Sequence, residues 1–136
     1  MTALLISCGD SRIAPSLAAL QDAVGAPDAH RLLVPGGPLV LTRAGMERRV
    51  ALDCVRTQLE VEAIGTVYLV SHQDCATYER ALGGLGFDQR ELLARDLHRV
   101  RSLLENTFSG LEVHCYVIPW RENGGGAGFG AAELVE

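Results

Sequence analysis

The sequence predicts a single α/β domain, in which helices cover both faces of a mostly parallel, four-stranded sheet. Three observations lead to this prediction. Four short apolar runs have the length of buried strands, and segments with apolar residues at helical spacing separate them. A length of 136 residues is enough for one domain with a substantial core and too short for two ordinary domains.

The first half of the chain contains two predicted strands and two predicted helices. Residues 3–7 form an uninterrupted apolar run, which is typical of a strand buried on both faces. A helix is predicted over 15–24, because proline suits its first turn and Gly25 can end it. A second strand is predicted at 31–34 and a second helix at 44–64. The buried stripe of this second helix is predicted to contain Val50, Cys54, Val55, Leu59 and Ile64.

The second half continues the alternation of strand and helix. Residues 66–71 are rich in β-branched and aromatic side chains, which favours a third strand. Asp88 and Glu91 form a predicted capping box at the start of a third helix, and 113–118 is the fourth strand. Residues 1–122 are therefore predicted to form the domain. The glycine-rich stretch 123–136 is predicted to be a flexible C-terminal tail.

Composition excludes several classes of function. The hydrophobic fraction of 48% and the charged fraction of 21% are typical of a soluble globular protein. No apolar stretch approaches the roughly 20 residues that span a bilayer, and the N-terminus lacks the features of a signal peptide. A net charge of -5 argues against a nucleic-acid partner. We therefore predict a cytoplasmic protein without a membrane or nucleic-acid partner.

Three polar turns are predicted to lie at one edge of the sheet. They are residues 8–12, 35–38 and 72–75, which follow the first, second and third strands. In an open parallel sheet, ligands bind beyond the carboxyl ends of the strands. The functional residues are therefore expected in these turns.

Two of the turns contain residues that bind metals. His72 and Cys75 are three positions apart, so both side chains can reach one ion, although such a pair alone is a weak signal. Cys8 strengthens this signal, because Cys8 is predicted to lie at the carboxyl end of a neighbouring strand. Two thiolates and one imidazole select zinc over magnesium or calcium.

The remaining cysteines, histidines and glycines have structural interpretations. A reducing cytoplasm favours free thiols over disulfides. Cys54 and Cys115 are interpreted as small core residues. The histidines without a partner at ligand spacing are interpreted as structural or solvated; they are His30, His98 and His114. The glycine pair within 35–38 predicts a tight turn rather than a phosphate-binding loop.

The two polar turns together resemble the motifs of a known family. The segment 8–12 reads Cys-Gly-Asp-Ser-Arg and resembles the Cys-x-Asp-Ser-Arg motif of β-class carbonic anhydrases, and 72–75 resembles their His-x-x-Cys motif. The similarity extends loosely over residues 3–118. It implies that Cys8, His72 and Cys75 bind zinc, that water occupies the fourth position, and that Asp10 and Arg12 form the neighbouring catalytic pair.

The chemistry of this pair follows from its residue types. Zinc lowers the pKa of a bound water to about 7, which gives a nucleophile for carbon dioxide. Asp10 can orient that nucleophile while Arg12 holds the carboxylate. If Arg12 releases it, Asp10 can become a fourth zinc ligand, as the resemblance implies for some members. Asp10 and Ser11 can instead cap the first helix, and Arg12 can be a surface residue.

Three features depart from the family pattern. Residues 34–38 read Val-Pro-Gly-Gly-Pro where the family has Arg-Asn-Ala-Gly-Asn, and Ala76 replaces the usual glycine. The sequence also begins directly in its first strand, without the helical arm that contacts a partner subunit in the family. These differences affect the substrate pocket and the subunit interface more than the metal ligands. A homodimer or higher homo-oligomer is nevertheless expected.

Two functional hypotheses follow. The first is a zinc lyase that hydrates carbon dioxide to bicarbonate, with carbonyl sulfide or carbon disulfide as alternative substrates. The second is a non-catalytic binding or assembly module that zinc stabilises. A weaker alternative is metal-free thiol catalysis, with Cys75 as nucleophile and His72 as base. The occupant of the fourth metal position separates the first two hypotheses, because a water there supports catalysis.

Overall fold

A five-stranded sheet forms the centre of the computed structural model, which describes residues 2–82, 89–123 and 126–135. The strands are β1 (Ala3–Ser7), β2 (His30–Leu33), β3 (Thr66–His72), β4 (Glu112–Ile118), β5 (Trp120–Asn123), β6 (Gly126–Phe129) and β7 (Glu133–Val135). The helices are α1 (Ala14–Ala23), α2 (Met46–Val61), α3 (Ala76–Leu82) and α4 (Gln89–Thr107). Two 3-10 helices, Ser11–Ile13 and Gly37–Thr42, follow β1 and β2.

The sheet has the order β2-β1-β3-β4-β7. Its first four strands are parallel, which confirms the predicted α/β architecture. Every residue of β1 is buried. Since successive side chains of a strand point to opposite faces, both faces of the sheet are covered at β1.

The sheet contains one strand more than predicted. β7 pairs antiparallel with β4, with Cys115 opposite Val135. β5 and β6 form a separate two-stranded sheet, in which Trp120 is opposite Phe129. The stretch predicted to be a flexible tail therefore contains two strands, β6 and β7. Glycine-rich composition is a local signal, whereas these strands form by pairing with other segments.

The prediction for the buried face of α2 was partly wrong. Ala51 and Val55 are buried, but Val50 is 54% exposed and Cys54 is also exposed. An apolar spacing of three and four residues fits two adjacent helix faces, and packing selected one of them. Cys115 is buried, as predicted, and its thiol lies 3.6 Å from the carbonyl oxygen of Leu97.

Other boundaries agree closely with the sequence. α1 and α2 lie within about two or three residues of their predicted ends. α3 was not predicted, because its seven residues are too short to show a periodic pattern. Asp88, half of the predicted capping box, lies outside the described residues. Within the described part of the chain, no helix is both long and apolar enough to cross a membrane.

Candidate metal centre

Cys8, His72 and Cys75 converge at the carboxyl edge of the sheet. Cys8 follows β1, His72 ends β3, and Cys75 immediately precedes α3. Because β1 and β3 are parallel neighbours, their carboxyl ends lie side by side. The ligand atoms of these three buried residues all lie within 4.8 Å of one another. Donors on one tetrahedral zinc ion are about 3.3 to 3.8 Å apart, so a small contraction would bring these three atoms to the spacing that such an ion needs.

The imidazole of His72 is oriented for metal binding. Its Nδ1 lies 2.7 Å from the carbonyl oxygen of Gln73, an acceptor that requires the proton to be on Nδ1. Nε2 is therefore the ring nitrogen that can bind a metal. This atom is buried and has no hydrogen-bond partner among the described residues. A buried imidazole nitrogen without a partner, beside two sulfurs, fits a metal ligand.

The thiols of Cys8 and Cys75 are close enough for each to shift the pKa of the other. The hydrogen bond with the Cys75 thiol is the largest cause that lowers the pKa of Cys8, although burial opposes it. The same contact, together with burial, raises the pKa of Cys75. Backbone N–H groups of Gly36 and Asp10 also lower the pKa of Cys8. A divalent cation held between the two sulfurs would favour ionisation of both thiols.

The glycine pair allows the chain after β2 to approach Cys8. Gly36 and Gly37 have φ angles of 78° and 57°, in the left-handed region that favours glycine. A Cβ atom on Gly37 would lie 2.8 Å from the backbone nitrogen of Cys8 and 2.9 Å from the carbonyl carbon of Ser7. The tight turn predicted here is confirmed. Its contact with the proposed ligand was not predicted.

Asp10 and Arg12 form a forked ion pair beside the ligands. Arg12 Nη2 lies 2.7 Å from Asp10 Oδ2, and Nε lies 3.1 Å from both carboxylate oxygens. The Asp10 side chain also accepts the backbone N–H of Arg12 at 3.0 Å and caps the 3-10 helix Ser11–Ile13. Asp10 therefore pairs with Arg12 and caps this 3-10 helix at the same time, while its catalytic role stays a prediction. The guanidinium of Arg12 lowers the pKa of Asp10 to about 2.

Arg12 also contacts the second ligand loop. Its Nη1 lies 3.0 Å from Asp74 Oδ2, and its Nη2 lies 3.2 Å from the Asp74 carbonyl oxygen. Asp74 has a left-handed φ of 56°, and its N–H donates to Gln89 Oε1 at 2.8 Å. Arg12 therefore links the loop of Cys8 to the loop of Cys75. Asp10 is not part of the three-residue ligand cluster.

Two aromatic side chains from the C-terminal segment complete the surroundings of the site. The rings of His72 and Phe129 meet edge to face, with centroids 5.4 Å apart. Trp120 packs on Phe129 at 4.8 Å. Sequence analysis missed Phe129 because it assigned residues 123–136 to a tail, and it gave no role to Trp120, which lies within the predicted domain 1–122. The Gly-Gly pair at 124–125 is a sequence signal for a two-residue hairpin turn, and it can identify the segment as structured.

Comparisons with known proteins reveal similarity in structure but not in sequence. No family model and no curated protein matches this chain. The β-carbonic anhydrase CafA of the fungal pathogen Aspergillus fumigatus is 16% identical, over 86% of this chain and 70% of that one, with a TM-score of 0.47. A carbonic anhydrase from Glaciozyma antarctica is 14% identical, over 86% of this chain and 75% of that one, with a TM-score of 0.51. At these identities the likeness concerns the fold alone. The chain thus shares its α/β fold with the carbonic anhydrase from Glaciozyma antarctica.

Proposed function

We propose that this chain binds zinc through Cys8, His72 and Cys75 and catalyses the reversible hydration of carbon dioxide to bicarbonate. One observation carries the proposal: the three candidate ligand atoms lie within 4.8 Å of one another, and Nε2 of His72 is buried without a hydrogen-bond partner in the described part of the chain. Two thiolates and one imidazole are soft ligands that favour zinc. Three protein ligands also leave one tetrahedral position free for a reactant.

Zinc at this site supplies a water of lowered pKa, about 7, which is nucleophilic at neutral pH. The surrounding residues supply the rest of the chemistry. The carboxylate of Asp10 stays ionised at neutral pH, because the guanidinium of Arg12 lowers its pKa to about 2. It therefore acts as a hydrogen-bond acceptor for the O–H of the attacking water and aims a lone pair at the carbon atom. Arg12 fixes the carboxylate by its forked contact.

The loop at 34–38 bears on the choice of substrate. This Val-Pro-Gly-Gly-Pro segment has no polar side chain, and it reaches Cys8 through Gly37. An apolar loop beside the metal favours a small, linear, uncharged substrate. Carbon dioxide is our primary proposal, and carbonyl sulfide and carbon disulfide are variants with the same shape. Thiol catalysis by Cys75 is disfavoured, since the hydrogen bond with Cys8 and burial raise the pKa of Cys75.

A second candidate function is a zinc-stabilised binding or assembly module. A groove of about 840 Å³ between α2, α3 and the turn after β2 supports it. Met46, which is 70% exposed, and Val50 lie along this groove. The exposed apolar side chains of Met46 and Val50 along this groove also suit the subunit contact of the homo-oligomer that we propose. Free thiols at the metal centre require a reducing compartment, and we propose the cytoplasm.

Zinc content followed by turnover tests the proposed function. Protein purified without chelator is analysed for zinc, and carbon dioxide hydration is then followed in a stopped-flow pH-indicator assay. We expect about one zinc per chain and hydration that disappears on zinc removal and returns on reloading. Less than about half an equivalent of zinc would contradict the site. A full equivalent of bound zinc without carbon dioxide hydration would favour the binding or assembly module.

A further inference from the structure

The ring of Phe129 contacts two separate parts of the candidate site. One contact is with the imidazole of His72, at 5.4 Å between ring centroids. The other is with the guanidinium of Arg12, whose central carbon lies 5.2 Å from the centroid of the Phe129 ring. We propose that Phe129 is a positioning residue, which holds Arg12 in its contact with Asp10. The inference rests on the proposed function, because only there does the Asp10–Arg12 pair act in catalysis.

The hydrogen bonds of Arg12 leave the faces of its guanidinium for aromatic contacts. Nε and Nη2 bind Asp10, and Nη1 binds Asp74. These bonds lie near the guanidinium plane, so they leave its faces to pack on rings. Phe129 and Trp120 lie within 5.2 and 5.6 Å of the central carbon. Such distances are typical of cation–π attraction.

The aromatic rings protect Arg12 from competing water, which its hydrogen bonds alone do not do. The Arg12 side chain is 47% exposed, and water competes for hydrogen bonds at such a position. Asp10 and Asp74 also attract the same guanidinium from two different loops. Apolar rings beside the ion pair exclude water on one side and restrict the movement of Arg12 between the carboxylates. The ion pair between Asp10 and Arg12 is consequently maintained.

Phe129 is itself held firmly against the site. It stands opposite Trp120 in the β5–β6 pair, and the backbone N–H of Trp120 donates to Gln73 Oε1 at 2.9 Å. The hydroxyl of Ser16 donates to the carbonyl oxygen of Gly130 at 3.0 Å. These contacts join the C-terminal segment to the loop of His72 and to α1. The position of Phe129 is therefore set by the fold rather than by its contact with Arg12.

A double-mutant cycle tests the contact independently of activity. Urea unfolding of the zinc-loaded chain is measured for Phe129→Leu, Arg12→Gln and the double variant. Phe108 and Arg56 provide a matched cycle, because their ring and guanidinium also lie 5.2 Å apart, at another place in the fold. We expect the loss of unfolding free energy caused by Phe129→Leu to fall by at least half in the Arg12→Gln background. Strictly additive losses would overturn the inference.

Kinetics of the same zinc-loaded variants test the positioning role. We expect Phe129→Leu to lower kcat roughly three- to tenfold without raising KM, because a misplaced Asp10 affects the reaction step. Phe129→Tyr retains the aromatic face and should remain within about twofold of the wild type. Phe108→Leu should leave kcat unchanged. A Phe129→Leu variant with wild-type kcat would overturn the inference.

The two experiments separate this inference from the proposed function. A wild-type chain that binds zinc but does not hydrate carbon dioxide would contradict the function, and the unfolding cycle would then decide whether Phe129 holds Arg12. An active chain with an additive cycle would support the function and overturn the inference.

Discussion

Nδ1 of His72 lies 2.7 Å from the carbonyl oxygen of Gln73, the next residue in the chain. This short contact fixes the orientation of the ring and its protonated nitrogen. Nε2 is buried, and the ligand atoms of His72, Cys8 and Cys75 lie within 4.8 Å of one another. The contact of Nδ1 with the backbone beyond β3 leaves Nε2 as the nitrogen that the proposed metal would bind. The following predictions test the site and the fold that supports it.

Loss of a cysteine ligand should release the metal. Cys8→Ala or Cys75→Ala removes one of the three proposed ligands, and we expect less than about a tenth of an equivalent of zinc, because loss of a residue that binds the metal directly lowers metal affinity strongly. The midpoint of thermal unfolding should also fall, since metal binding is coupled to folding. Elemental analysis and calorimetry measure both effects. Cys54→Ala is the matched control: this exposed thiol lies on α2, and its loss should leave the zinc content unchanged. Full zinc occupancy in Cys75→Ala would contradict the ligand set.

Replacement of the Asp10 carboxylate should separate metal binding from turnover. Asp10→Asn keeps the shape of the side chain but removes the charge that Arg12 binds. We expect zinc to remain and kcat to fall at least about a hundredfold, the usual range for loss of a group that orients proton transfer. Asp53→Asn, an exposed change on α2, should have wild-type kinetics. Unchanged turnover in Asp10→Asn would remove Asp10 from the mechanism.

A methyl group at Gly37 should disrupt the turn beside Cys8. The added Cβ would lie 2.8 Å from the Cys8 nitrogen, and the φ of 57° is unfavourable for alanine. We expect Gly37→Ala to lower the free energy of unfolding by about 2 to 4 kcal/mol, because backbone atoms cannot move aside cheaply. Urea denaturation measures this loss. Gly65→Ala is the control, since its Cβ would meet nothing within 4 Å. Equal stability of the two variants would contradict the close approach.

Cys115 should make the protein sensitive to alkali. Burial raises the pKa of this thiol from 9.0 to about 11. Above pH 9 the unfolded chain loses the thiol proton while the folded chain keeps it, so the stabilising contribution is present below pH 9 and is lost as the pH rises towards 11. Unfolding free energies between pH 9 and 11 should fall more steeply for the wild type than for Cys115→Ala, by up to about 1.4 kcal/mol per pH unit. Parallel pH profiles would show that Cys115 is not the cause.

Local sequence determined the four parallel strands and placed the three candidate ligands at one edge of the sheet. The apolar run 3–7 coincides with β1, and the predicted strand 66–71 ends one residue before β3 does. Buried parallel strands have continuous apolar sequences, and their carboxyl ends must share one edge. Cys8, His72 and Cys75 were therefore predictable as neighbours although they come from different loops.

Tertiary packing decided the features that depend on distant segments. Val50 and Cys54 matched the spacing of a buried stripe, yet packing of α2 left both exposed. β7 exists only through its pairing with β4, and Phe129 reaches Arg12 only because the C-terminal segment folds back across the sheet edge. Periodicity and composition describe one segment at a time. Which face is buried, and which ring meets which guanidinium, depends on free-energy terms shared between segments far apart in the chain.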